Sequence, residues 1–236
     1  MSSSEVLGAY TAAAVRAAEA PLLAAGEPLM LEAAAALAEI AREVLAERPG
    51  RVLVLAGAGD NGGDALFAAA ELAPLVPVEI VLTSDRVHRE ALSTALGAGA
   101  ALRHTADVCS RPGEYAVILD GILGIGAAPD PRLRGAARAV VESLAPVSAA
   151  SGTVVIAVDL PSGLHPDDGT ADSAVLPAAI TVTFGAVKAG LVRGRGPELV
   201  GEIRVVDLGL APALARVRPA VTGALDVVRV PRRARV

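Results

Sequence analysis

The run Val52-Leu53-Val54-Leu55 is apolar at every position, with no polar residue on alternate sites. A strand with one face in water alternates. A strand that does not is covered on both faces, the environment found inside a parallel sheet. Short strand-like runs, some with a polar residue inside them, return at Val78–Leu82, 116–119, Val154–Val158, Ile180–Phe184 and 203–206. Helical spacing lies between several of them, over residues 65–75, 89–96 and 134–144. Upstream, Thr11 is suited to cap an Ala-rich helix that Pro21 interrupts or ends. Met30, Ala34, Leu37, Ala41 and Val44 mark the packing face of a helix over 28–47, which Pro49-Gly50 stops. Strands alternating with helices define an α/β fold with a doubly wound, mostly parallel sheet. Ligands of such sheets bind beyond the carboxyl ends of the strands. The residues just after each run are therefore the candidates for function.

Residues 1–214 read as one domain. Beyond them the chain looks irregular and carries Arg229, Arg232, Arg233 and Arg235, so residues 215–236 are expected to be a solvated tail or a linker. A net charge of −5 with 2% aromatic residues argues against nucleic acid, which wants a basic face and stacking rings. No apolar run reaches the ~18–20 residues that span a bilayer. The first 26 residues lack a basic segment ahead of their apolar stretch, so the expected location is the cytoplasm. Cys109 has no partner for a disulfide and no base beside it, which makes it a structural residue of a reducing compartment. His88, His104 and His165 are far apart, without zinc spacing.

Three strand ends carry carboxylates and glycines. After the first run comes Ala56-Gly57-Ala58-Gly59-Asp60-Asn61-Gly62-Gly63-Asp64, in which Gly57, Gly59 and Gly62 satisfy the dinucleotide-binding spacing. Glycines there let backbone N–H groups approach a phosphate at a helix start. Two aspartates in the same turn add nothing to a plain phosphate cradle and point to a ligand site with its own chemistry, the alternative being helix capping by Asp60 or Asn61. The second strand end is Asp120-Gly121-Ile122-Leu123-Gly124-Ile125-Gly126, and the third is Asp159-Leu160-Pro161-Ser162-Gly163. Each alone is also a turn motif. Together they deliver acids or amides to one rim of the sheet. Asn61, Asp120 and Ser162 offer only oxygen ligands with one clear charge, a set that suits a hard cation, monovalent rather than tightly held divalent, and disfavours zinc. Lys188 is the only lysine among 21 basic residues, so a compact ammonium is wanted there, near a phosphate or carboxylate, unless it is simply a surface residue.

In order and spacing, Gly57–Asp64, Asp120–Gly126, Asp159–Gly163 and Ile180–Leu191 resemble the YjeF N-terminal domain family, the NAD(P)H-hydrate epimerases, over residues 11–210. The resemblance implies a Rossmann-like three-layer αβα sandwich, a homodimer, and NADHX or NADPHX as substrate, the nicotinamide being hydrated at C6. It implies a potassium ion held at Asn61, Asp120 and Ser162. Substrate contacts would come from Asp60, Asn61, Gly62, Gly63 and Asp64, from the loop Gly124, Ile125, Gly126, Ala127, Ala128, Pro129 and Asp130, and from Asp159; Lys188 is expected to join them on the residue argument above, not on the resemblance. Many relatives fuse this domain to an NAD(P)HX dehydratase, an activity expected here as a separate partner or a fused domain. Ala58, Asp60 and Ala65 depart from the family's usual Pro, Asn and Gly, and Leu31 stands where a glutamate is frequent.

Epimerisation at C6 asks for a group that protonates the hydroxyl so that the ring nitrogen can expel water, after which water returns to either face. Asp159 is expected as this acid/base, with Asp64 in support, and Asp159→Asn is expected to fold normally. Two rivals remain at this point. One is an NAD(P)-dependent dehydrogenase, on the glycine spacing and Asp85 near the end of the second strand. The other is a non-catalytic interaction module.

Overall fold

The computed structural model describes residues 8–126, 130–223 and 225–232. The chain opens with a two-residue strand, β1 (Ala9–Tyr10), and two helices, α1 (Ala12–Ala24) and α2 (Leu29–Glu47). Thr11 caps α1, its hydroxyl accepting from Ala14 N at 3.2 Å, but Pro21 lies inside the helix rather than ending it. The succession β2 (Arg51–Ala56), α3 (Asp60–Leu72), β3 (Val78–Leu82), α4 (Arg89–Gly97), β4 (Ala101–Leu102), α5 (Thr105–Cys109), β5 (Tyr115–Gly121), α6 (Gly135–Ser151) and β6 (Val154–Val158) follows the expected alternation. Residues 159–179 then connect β6 to β7 (Ile180–Phe184) without a helix. The remaining elements are β8 (Val187–Lys188), a 3-10 turn over Ala189–Val192, α7 (Gly196–Leu199), β9 (Glu202–Val206), α8 (Ala211–Leu214) and β10 (Val227–Val230).

Eight strands form one all-parallel sheet in the order β10-β9-β7-β6-β5-β2-β3-β4, while β1 and β8 pair as a separate short ladder. The apolar runs do not alternate because both faces are covered. Val52, Val54 and Ala56 of β2 join the core beneath α2 and α3, whereas Leu53 and Leu55 join the core that Val140, Val141 and Leu144 of α6 complete on the other side. This is the three-layer αβα arrangement. Of the packing face expected on α2, Ala34, Leu37 and Ala41 are buried, and Met30 and Val44 partly so.

The expected irregular tail is corrected. Val227–Val230 extends the sheet as its edge strand, pairing with β9 from Val227↔Ile203 to Val230↔Val206. Arg232 then returns to the start of α2, bonding Glu27 at 2.7 Å and Glu32 at 2.8 Å. The strand was hidden because it is short, half-exposed and carries Arg229, so its order comes from pairing rather than from its own pattern.

From β2 the chain runs to β3 and β4 on one side and returns to β5, β6, β7, β9 and β10 on the other. The order therefore reverses between β2 and β5, and their carboxyl ends open the crevice in which ligands of such sheets lie.

Candidate active site

At this reversal point the turns approach closely enough that side chains are excluded. A Cβ on Gly57 would overlap the Ile122 carbonyl oxygen and sit 2.8 Å from its carbon. Gly121 faces the Ala65 methyl, 2.6 Å from where its own Cβ would be, so the methyl at 65 is accommodated because 121 has none. Helix α3 begins at Asp60, five residues earlier than the helical spacing expects, and takes Gly62 and Gly63 into its first turn. Added side chains there would meet the Gly57 carbonyl and the Met30 sulfur.

Asn61 ties the strand ends together. Its amide donates to Leu123 O at 3.0 Å and to Val158 O at 2.7 Å, linking the turns after β2, β5 and β6. Leu123 N donates to the Ser162 hydroxyl at 2.9 Å, and Ser162 donates through its hydroxyl (2.6 Å) and its N–H (2.8 Å) to the Asp120 carboxylate. Asp120 and Ser162 have no exposed surface and lie under the site rather than on it. Burial pushes the Asp120 carboxyl up, and the Ser162 bonds oppose that. Asn61, Asp120, Ser162 and the residue before Asp159 thus share one hydrogen-bonded network, as the strand-end reading expects.

Asp159 is the only non-glycine residue with positive φ (67°) among the described residues. A left-handed aspartate is tolerated but uncommon, and such conformers collect at functional sites. Its N–H stays on β7 through Val182 O at 2.7 Å. Its carboxylate forms an ion pair with Lys188 Nζ and accepts from the Thr183 hydroxyl at 3.1 Å. Lys188 is 1% exposed and also donates to Phe184 O at 2.8 Å and to Thr183 at 3.2 Å. The surface alternative for Lys188 is therefore set aside.

A cleft of about 620 Å³ opens above this network. Asp60, Asn61, Asp64, Asp159 and Lys188 line it, as do Gly124, Ile125 and Gly126. Asp130 does not. It is ion-paired with Arg132 (2.9 Å) and Arg134 (2.6 Å), whose guanidinium groups hold its carboxyl well below the usual range. Ala127, Ala128 and Pro129 lie outside the described residues. Leu31 is 53% exposed and does not line the cleft, so that departure leaves the site's walls untouched. A second hollow of about 460 Å³, near Val200, Ile203 and Val227, lies by the starts of β9 and β10, on the amino edge of the sheet away from these acids.

Sequence reasoning missed Arg16, Glu19, Arg86 and Thr183. Arg16 and Glu19 project into the cleft from α1, and Arg16 donates to Ile125 O. Nothing in an Ala-rich helix marks them beyond their three-residue spacing, which shares a face. Thr183 did leave a trace, since a hydroxyl inside a strand buried on both faces needs a partner.

The acids repel one another. Burial raises the Asp64 carboxyl well above the ordinary range, and the charges of Asp159, Asp60 and Glu19 add to the rise. Glu19 is raised for the same first reason, with Lys188 opposing. The fold therefore favours neutral Asp64, whereas the unfolded chain ionises it in the ordinary carboxylate range. The stabilisation is complete below that range and is lost as pH climbs through the raised folded value. Thermal scans between pH 5 and pH 9 should show Tm falling more in the wild type than in Asp64→Asn; parallel curves would contradict the assignment.

The chain belongs to the family described as YjeF-related protein N-terminus, whose model matches residues 26–190. It is 63% identical to a protein of Microbacterium testaceum (strain StLB037) named NAD(P)H-hydrate epimerase, over 96% of this chain and 88% of that one. The epimerase so named from Clavibacter michiganensis subsp. michiganensis is 50% identical over 85% of this chain and 90% of its own. The bifunctional NAD(P)H-hydrate repair enzyme Nnr of Escherichia coli (strain K12) is 34% identical, matched over 79% of this chain and 36% of that enzyme. A crystal structure of yeast ynu0 superimposes with a TM-score of 0.67 at 20% identity, covering 79% of this chain and 84% of that one, a likeness of fold.

Proposed function

We propose that this protein is an NAD(P)H-hydrate epimerase, an isomerase that interconverts the R and S forms of NADHX and NADPHX. The observation that carries the reading is the pairing of two unlike carboxyl groups in one cleft: Asp64, buried beside other acids so that its carboxyl is pushed up, and Asp159, ion-paired with Lys188. Two carboxyl groups in unlike surroundings, one buried among other acids and one bound by a lysine, can divide acid work from charge stabilisation. Neutral Asp64 gives its proton to the C6 hydroxyl. The ring-nitrogen lone pair expels water, leaving a cation whose charge Asp159 balances. Water adds to either face and returns a proton to a carboxylate. This division modifies the expectation that Asp159 is the principal acid/base, because its carboxylate is engaged by Lys188 and Thr183 while Asp64 is the acid whose carboxyl burial pushes up.

The donor set fits a monovalent cation such as potassium. Asn61 and Ser162 offer neutral side-chain oxygens, Leu123 and Val158 add backbone carbonyls within reach of Asn61, and Asp120 supplies one buried carboxylate. With a single carboxylate among otherwise neutral oxygens, the set matches a singly charged hard cation better than a divalent one. Bound, it would supply positive charge that fixes the loops bearing Leu123 and Ser162.

Among the described residues no helix is long and apolar enough to cross a membrane. The reading carries with it a cytoplasmic location beside the nicotinamide nucleotide pool, a homodimer, and a separate or fused dehydratase that consumes one epimer. The test follows R- and S-NADPHX by chiral-sensitive chromatography in potassium buffer and in tetramethylammonium buffer. Interconversion well above the buffer rate, faster with potassium, is expected. A rate equal to buffer overturns the function, and a rate blind to potassium overturns the ion alone.

A further inference from the structure

Resting on the epimerase reading, we propose that Arg86 recognises the 2′-phosphate of the substrate's adenosine ribose and so favours NADPHX over NADHX. Among the described residues three cationic side chains line the cleft: Arg16, Lys188 and Arg86. Two are occupied, Lys188 by Asp159 and Arg16 by the Ile125 carbonyl. The Arg86 guanidinium makes no hydrogen bond or ion pair among the described residues, although its backbone is anchored. Thr83 fastens the end of β3 to the β2 turn, its N–H donating to Ala56 O at 2.9 Å and its hydroxyl at 3.1 Å. The Ser84 hydroxyl accepts from Arg86 N at 3.2 Å, and His88 caps α4, its ring nitrogen accepting from Ala91 N at 3.2 Å. The result is a free, permanently charged fork on a fixed backbone, at the edge of a cleft otherwise rich in carboxylates.

Its place in the sheet says which phosphate it meets. In doubly wound dinucleotide sites, the strand beside the glycine turn ends in the residue that faces the ribose 2′ position. A carboxylate there prefers the hydroxyl, and a nearby arginine accommodates the phosphate. Here β3 is that neighbour, in register from Val52↔Val78 to Ala56↔Leu82. Both residue types stand side by side, but Arg86 lines the cleft and Asp85 does not. With Asp159 following β6, on the opposite side of β2 from β3, and taking the nicotinamide end, the free guanidinium is left for the adenosine end, where only the phosphorylated cofactor offers a dianion.

The experiment titrates wild type, Arg86→Gln and Arg86→Lys with NADP+ and with NAD+ by calorimetry, beside the epimerisation assay. Wild type is expected to bind NADP+ more tightly. Arg86→Gln should lower the ratio of NADP+ to NAD+ affinity by about ten- to a hundredfold, the worth of a charged hydrogen-bonding contact. Arg86→Lys should keep part of the preference. An unchanged ratio overturns the proposal, and so does an equal loss for both nucleotides, which would place Arg86 on the shared pyrophosphate. If wild type epimerises NADPHX and the ratio does not move, the specificity inference fails and the function stands. If the ratio moves and epimerisation is absent, the function fails and the nucleotide contact stands.

Discussion

Asp159→Asn should lose epimerisation by about two orders of magnitude or more and should also lose stability. The second loss departs from the expectation that this variant folds normally, and Lys188 is the reason. Its ammonium is buried and would keep only neutral acceptors, the asparagine oxygen, the Thr183 hydroxyl and the Phe184 carbonyl, with no counter-charge beside it. Removing one partner of a buried ion pair costs about 3–5 kcal/mol. The backbone is not the cause, since asparagine accepts left-handed φ as readily as aspartate. The double variant Asp159→Asn/Lys188→Met removes both charges and should recover most of the urea midpoint while remaining inactive. Recovery of activity along with stability would make Asp159 a structural residue and return the chemistry to Asp64 alone.

Gly57→Ala is the second large effect. The added methyl meets the Ile122 carbonyl group, which is backbone and cannot swing aside. Accommodating it means parting the β2 turn from the loop that carries Ile122 and Leu123 and from the end of β5 that carries Asp120. A loss of about 1–3 kcal/mol, the usual range for overpacking, is expected in urea unfolding, together with most of the epimerisation rate. The same substitution at Gly97 is the control. That position ends α4 with nothing within 4 Å of the new methyl, and alanine there should raise stability by about 0.4–1 kcal/mol. Equal effects at the two sites would remove the steric argument for a closed switch point.

The strands were legible because burial on both faces leaves a mark in every residue of Val52–Leu55, and the acids were legible because they follow such runs directly. Asn61, Asp120 and Ser162 could be grouped from one rim rule, and the network through Leu123 joins them. Other features depend on what lies opposite. Helix α3 starts at Asp60 because Gly62 and Gly63 let the β2 turn and Met30 approach, whereas in sequence the glycine pair looks like loop. Helix α6 runs to Ser151 through Pro146, past the expected end near Leu144. Arg16 and Glu19 become site residues only when α1 is placed over the crevice. Asp130 shows the converse, an acid in a promising loop taken up by Arg132 and Arg134.

In the proposed reaction, carboxyl groups drive loss and return of water at one carbon of a bound nucleotide. Epimerisation of S-NADPHX in ¹⁸O-enriched water, read by mass spectrometry of the separated epimers, measures that step. Solvent oxygen should enter the C6 hydroxyl at the rate at which R-NADPHX appears, both far above the protein-free blank. R-NADPHX forming with its original oxygen retained, or not forming faster than in the blank, would contradict it.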